Sequence, residues 1–280
     1  MTTRIAGRKA RSAKYAGRQA ARSRWLALLA RTGLAARGLL YMIIGVIALE
    51  VAFGHSGKQA DQSGALRVVG SNPVGKILLW VLVAGFAGLA LWRLTEAVYG
   101  SAEPGGNKAG HRLAALARAI FYGFLAYGIV KYAIGAGAPK SSNSQSQDLT
   151  ATVMAHPGGR FVVIVAGLAF AIGGSILAFR AWRKDFLRHL QLAGTRPATR
   201  RAVERLGQVG GVARGVVFAI AGIFLVVAGV KANPGQAKGV DATLRSFAST
   251  PLGPSLLALV AVGLVTFGVY SSCEARWRKV

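Results

Sequence analysis

Six long stretches of this chain are almost free of charge: Leu34 to Phe53, Ile77 to Trp92, Leu113 to Gly137, Phe161 to Phe179, Val209 to Val230 and Leu252 to Tyr270. A helix of about 20 apolar residues crosses a hydrocarbon core of about 30 Å, so each stretch predicts one membrane span. A soluble helical bundle would need polar faces at a period of 3.6, and Phe161 to Phe179 has none. The apolar content excludes a disordered chain, and the lone Cys273 excludes a disulfide scaffold. That cysteine, with four scattered histidines, also argues against a zinc site. The expected fold is all-α, a polytopic integral membrane protein of six transmembrane helices.

Charge supplies the orientation. Lys and Arg number 35 against nine Asp and Glu, a net charge of +26. Sorted by side of the six spans, 26 of the basic residues fall with the two termini and nine fall opposite. The positive-inside rule then places both termini, and the loops around Glu103 and Arg196, in the cytoplasm. A long basic tail precedes the first apolar run, and Phe53-Gly54-His55 follows it without a small-x-small cleavage pattern, so the first helix is expected to stay as an anchor. Richness in Arg, Ala and Gly with few Lys fits a GC-rich bacterial genome.

The spans repeat in pairs. Ala36-Arg37-Gly38, Ala117-Arg118-Ala119 and Ala213-Arg214-Gly215 are each followed, four residues after the Arg, by an aromatic ring (Tyr41, Tyr122, Phe218). Four residues further comes a small residue (Gly45, Ala126, Gly222). Each loop that follows carries an acid (Asp61, Asp148, Asp241), then Pro73-Val74-Gly75, Pro157-Gly158-Gly159 or Pro251-Leu252-Gly253. Counted from each Pro, positions 23 and 24 read Glu96-Ala97, Arg180-Ala181 and Glu274-Ala275. The chain therefore divides into a basic tail (1–29), repeat 1 (30–100), repeat 2 (111–184), a basic linker (185–206) and repeat 3 (207–280). Each repeat is an out-and-back helical hairpin, and hairpins entering from one side are parallel repeats, related by an axis along the membrane normal. A pseudo-threefold bundle is expected.

The pattern Ala-Arg-Gly-x-x-Tyr-x-x-x-Gly, the Asp61 to Arg67 segment with Gly64-Ala65-Leu66-Arg67, and the Pro-x-Gly restart resemble the bacterial membrane family catalogued as domain of unknown function 1206. The resemblance runs from about Ala30 to Trp277. It implies a three-repeat, six-span inner-membrane protein and transfers no activity. Repeat 2 departs from the pattern, with Arg180 where the others have Glu and a polar Ser141 to Gln147 loop.

Candidate site residues are the charges that a membrane makes expensive. A span returning after about 23 residues comes back to the depth from which it left, about 35 Å of helix at 1.5 Å per residue. Arg37 is thus expected to pair with Glu96 and Arg214 with Glu274, whereas Arg118 meets Arg180 and lacks such a partner. Toward the other face, Glu50 and Lys131 occupy equivalent positions thirteen residues after the anchor Arg and form a candidate inter-repeat ion pair. The i, i+4 spacing of Arg and ring allows a guanidinium to lie on the aromatic face. The Pro-x-Gly units read as Pro in the first turn of each returning helix. Asp61, Asp148 and Asp241 read as caps or solvent-exposed loop residues.

The tail from Met1 to Trp25 has no acid and aligns Arg4, Arg8, Arg11, Arg18 and Arg22 on one helical face, which suits adsorption to anionic lipid. The segment from Arg183 to Arg205 reads likewise. Nucleic acid is not expected as a partner, because no motif accompanies the charge. No Walker loop, metal-spaced cluster or pair of membrane carboxylates occurs, so no enzyme, cofactor or metal is expected. The preferred reading is a non-catalytic structural or accessory membrane component that contacts membrane-protein partners or anionic headgroups. The alternative is a small-solute or ion transporter or channel with a path along the pseudo-threefold axis.

Overall fold

The computed structural model describes residues 24–54, 57–71, 73–100, 109–137, 139–248 and 253–278. Most of the basic tail, the loop at Glu103 and Pro251 of the repeat signature lie outside the described residues. The described helices are α1 (Arg24–Ala52), α2 (Gln62–Gly70), α3 (Pro73–Tyr99), α4 (Ala109–Ala133), α5 (Ser142–Met154), α6 (Gly159–Trp182), α7 (Pro197–Val230), α8 (Val240–Ala248) and α9 (Gly253–Trp277), with no strand among the described residues. Six of them, α1, α3, α4, α6, α7 and α9, are long and apolar enough to cross a membrane. They form three hairpins, each with an entering helix (α1, α4, α7) and a returning helix (α3, α6, α9).

Local chemistry marks the helix ends. Asp61 caps α2 by accepting the Gly64 amide, and Ser141 caps α5 by accepting that of Ser144. α3 stops at Gly100, whose φ of +80° suits a residue without Cβ. The helical-start role expected of the repeated prolines holds for Pro73, the first residue of α3. It does not hold for Pro157, which sits in a turn ahead of α6, where Gly158 at φ +75° bends the chain into the helix. The linker expected at 185–206 is likewise partly helix: a 3-10 turn, Asp185–His189, precedes α7, which already begins at Pro197. The Gln191 amide donates to the Trp277 carbonyl (2.7 Å), which ties this segment to the end of α9.

The tightest helix pairs are not the two arms of one hairpin. Each entering helix packs along the returning helix of the preceding hairpin: α4 on α3, α7 on α6 and, closing the circle, α1 on α9. The repeated small residues make this possible. Gly45 faces Ala261 and Val265, and Gly222 faces Gly167 and Ala171 so closely that a Cβ at Gly222 would stand 2.3 Å from the Ala171 nitrogen. Where lipid removes the hydrophobic drive, such close backbone approach is what holds helices together. The arms of hairpins 1 and 3 also pack together, through Ala36 against Gly85 and Ala213 against Gly263. Hairpin 2 is different: no extended interface joins α4 to α6 among the described residues.

The core runs along the axis between these helices. Leu34, Leu40 and Ile44 of α1, Leu82 and Phe86 of α3, and Leu257 and Leu264 of α9 fill it, joined by Ile129 of α4 and Val217 of α7. No residue of α6 belongs to it. Opposite the chain termini, the three short helices bind one another in a ring. Asp61 accepts the Ser142 amide (2.7 Å) and hydroxyl (2.8 Å), Asn143 accepts the Gly239 amide (3.3 Å), and Asp241 accepts the Ala60 amide (2.7 Å). Each repeat thus hands a hydrogen bond to the next, and the ring closes.

Candidate functional site

Cyclic packing brings the first turns of the entering helices against the last turns of the preceding returning helices, and arginine accumulates there. Arg37 of α1 meets Glu274 of α9 (Nη2 to Oε2, 2.5 Å), while its Nε donates to the Ser271 hydroxyl (2.9 Å). Ser271 in turn donates to the Leu34 carbonyl (2.9 Å). Arg278, one turn beyond, also pairs with Glu274. On α3, Arg93 pairs with Glu96 (2.5 Å) and lies over Trp92, 4.2 Å from the ring centroid. Between these groups sits Tyr122 of α4, its ring stacked on Phe86 (6.0 Å) and its side chain beside Arg37.

The pairing predicted within each hairpin is therefore not formed. Glu96 takes Arg93 from its own helix, and Glu274 takes Arg37 from the first hairpin instead of Arg214. Cyclic equivalence explains the outcome. The partner position for Arg37 is Glu274, for Arg118 it is Glu96, and for Arg214 it is Arg180, a like charge. Arg214 turns instead onto aromatic rings: Phe267 at 4.9 Å, Phe218 at 5.1 Å and Tyr41 at 5.6 Å. Its buried Nε has no hydrogen-bond partner, and neither has that of Arg93. The i, i+4 stack expected from the sequence thus forms at Arg214 and Phe218, whereas Arg37 lies over Phe267 (5.4 Å) and Tyr41 lies under Arg214.

Arg118 and Arg180 are exposed, and neither joins an ion pair among the described residues. Arg37, Arg93 and Arg278 consequently pair with two carboxylates, Glu96 and Glu274, and Arg118 and Arg214 join them around Tyr122, five arginines against two acids. Guanidinium groups bind carboxylate and phosphate through parallel N-H donors. Set against two carboxylates, these guanidinium groups leave a positive excess at this end of the bundle.

Toward the opposite end, Glu50 and Lys131 do not meet. Glu50 pairs with Lys58 of its own loop (3.2 Å), and the Lys131 ammonium lies 5.9 Å from the Tyr127 ring. Equal depth was readable from spacing, but these side chains leave their helices in different directions. Asp148 pairs with Lys140 at the surface (2.8 Å). Of the repeat's small residues, Gly45, Ala126 and Gly222 serve helix contact or core, and none faces an open lumen.

Arg93, Ser271, Arg278 and the buried role of Asp61 escaped the sequence reading. Arg93 precedes Glu96 by three residues and Arg278 follows Glu274 by four, spacings at which helical side chains touch. Nothing in the sequence signals the Ser271 contact.

The model of the Domain of Unknown Function (DUF1206) matches the chain three times, at residues 32–100, 113–184 and 209–278, one match per hairpin. The chain belongs to that family. It is also 26% identical over 249 residues to the uncharacterized protein YxxB of Bacillus subtilis (strain 168), covering 88% of this chain and 89% of the relative. No solved structure matches.

Proposed function

We propose that this member of the family is a non-catalytic structural component of the bacterial plasma membrane that holds anionic headgroups, or a membrane-protein partner, at its arginine-rich end. The observation that carries the reading is the arginine excess itself. Five guanidinium groups surround two carboxylates at one end of the spans, and one of them, Arg214, is left with aromatic faces and an unpartnered Nε. The lopsided basic count supports a cytoplasmic placement of that end and both chain termini, against the anionic leaflet.

A transport role has less support. A solute path along the axis needs polar lining, and the axis is occupied by Leu34, Ile44, Leu82, Phe86 and Leu264, closed at one end by Tyr122 and Arg37. The test is compositional. Protein extracted with native lipid and analysed by headgroup should carry anionic phospholipid in excess over the bulk membrane. Retention of headgroups in bulk proportion would overturn the reading.

A further inference from the structure

We infer that the gap between α4 and α6 is a binding site for one anionic phospholipid, its phosphate held by Arg118 and Arg180 and an acyl chain laid along the two helices. The inference rests on the reading above and specifies where the lipid is held.

The gap follows from comparing the hairpins with one another. Positions that are core in hairpins 1 and 3 are vacated in hairpin 2. Phe170 is 56% exposed, where its counterparts Phe86 and Leu264 are 1% and 2% exposed. Phe121 is 56% exposed, against 4% and 3% for Leu40 and Val217. A Cβ added at Gly173 would meet nothing within 4 Å, yet its counterparts Leu89 and Phe267 are buried. Ala117 and Ala169, the counterparts of the touching pairs Ala36 with Gly85 and Ala213 with Gly263, are both exposed.

Charge selects the occupant. Arg118 stands at the end of the gap on α4 and Arg180 at its end on α6. Arg37 of hairpin 1 and Glu274 of hairpin 3 hold the same two repeat positions and meet at 2.5 Å, so the two positions share one depth. Hairpin 2 therefore presents two cations at the head of an apolar cleft, neither of them in an ion pair among the described residues, although Glu96 lies near Arg118. From Arg118 to Gly128, and from Arg180 to Phe170, the helices advance about 15 Å, the depth of one leaflet's hydrocarbon. Phosphate at the arginines and an acyl chain against Phe121, Phe170 and Gly173 satisfy both features at once.

The full chain, delipidated in detergent and titrated with phosphatidylglycerol or phosphatidylcholine, would be followed by native mass spectrometry. One tightly held phosphatidylglycerol is expected. Arg118→Gln with Arg180→Gln should weaken it roughly tenfold or more, while Lys76→Gln with Lys231→Gln, which removes the same charge at the other end, should not. Gly173→Leu restores the side chain present in hairpin 1, keeps both arginines, fills open space and should displace the lipid without lowering the melting temperature. Equal retention of both phospholipids by the unaltered chain would overturn the headgroup reading itself. Phosphatidylglycerol preference that survives both the arginine pair and Gly173→Leu would leave that reading standing and overturn the site. A disulfide-linked dimer from Phe170→Cys in a Cys273→Ser background would assign the gap to a second copy of the chain and overturn it as well.

Discussion

Arg37 of the first spanning helix and Glu274 of the last meet at 2.5 Å, so an ion pair joins α1 to α9 where the circle of helices closes. Ser271 and Arg278 complete the hydrogen bonding of the two charges. Removing one partner of a buried pair leaves a charge without compensation, at a cost of about 3 to 5 kcal/mol. Glu274→Gln should lower the melting temperature in detergent sharply, and Arg37→Met with Glu274→Leu should cost less than the sum of the single changes. Additive costs in that double-mutant cycle would show that the two residues do not depend on each other.

The repeat arithmetic recovered the six spans, their pairing into hairpins and the threefold relation, because apolar length and recurring Arg, ring and small residues report depth along the membrane normal. They do not report direction around it. That is why Arg37 was matched with Glu96 of its own hairpin when it reaches Glu274, and why Glu50 and Lys131, equal in depth, never meet. The gap in hairpin 2 was half visible: Arg180 in a glutamate position and the polar Ser141 to Gln147 loop both marked that hairpin as the exception. The open space at Gly173 was not, since in a chain with 37 glycines one more carries no message.

Glycines at the cyclic contacts and glycines at the gap should respond oppositely to enlargement. Gly222→Val drives a side chain into the backbone of α6 and should destabilise by about 1 to 3 kcal/mol or more. Gly128→Val enters open space and should stay within about 0.5 kcal/mol. Melting temperatures of the two variants check this, and equal losses would contradict the helix pairing described.

Asp61 is fully buried and accepts from the Gly64 and Ser142 amides and from the Ser63 and Ser142 hydroxyls. Asp61→Ala leaves buried donors unpaired, worth about 1 to 3 kcal/mol. Hydrogen exchange at the starts of α2 and α5 should accelerate while the spans stay protected. Unchanged exchange there would show that the ring of short helices does not depend on the carboxylate.

Arg180 takes the place that Glu274 holds in the intact pair, and Arg214 joins no ion pair among the described residues. Arg180→Glu should therefore stabilise the chain by a few tenths to about 1 kcal/mol, as a partly exposed ion pair does. The gain should vanish when Arg214→Gln is added. A gain that persists without Arg214 would place its origin elsewhere.

The axis is a packed core and not a water path. Cysteines placed singly at Ile44, Leu82 and Leu264, in a Cys273→Ser background, test it through labelling by a membrane-impermeant thiol reagent applied from each side of the membrane, with an exposed loop position such as Lys140→Cys as the reactive control. Protection at all three axial positions from both sides is the predicted result. Labelling at any of them comparable to the control would mean water enters the axis and would contradict the account.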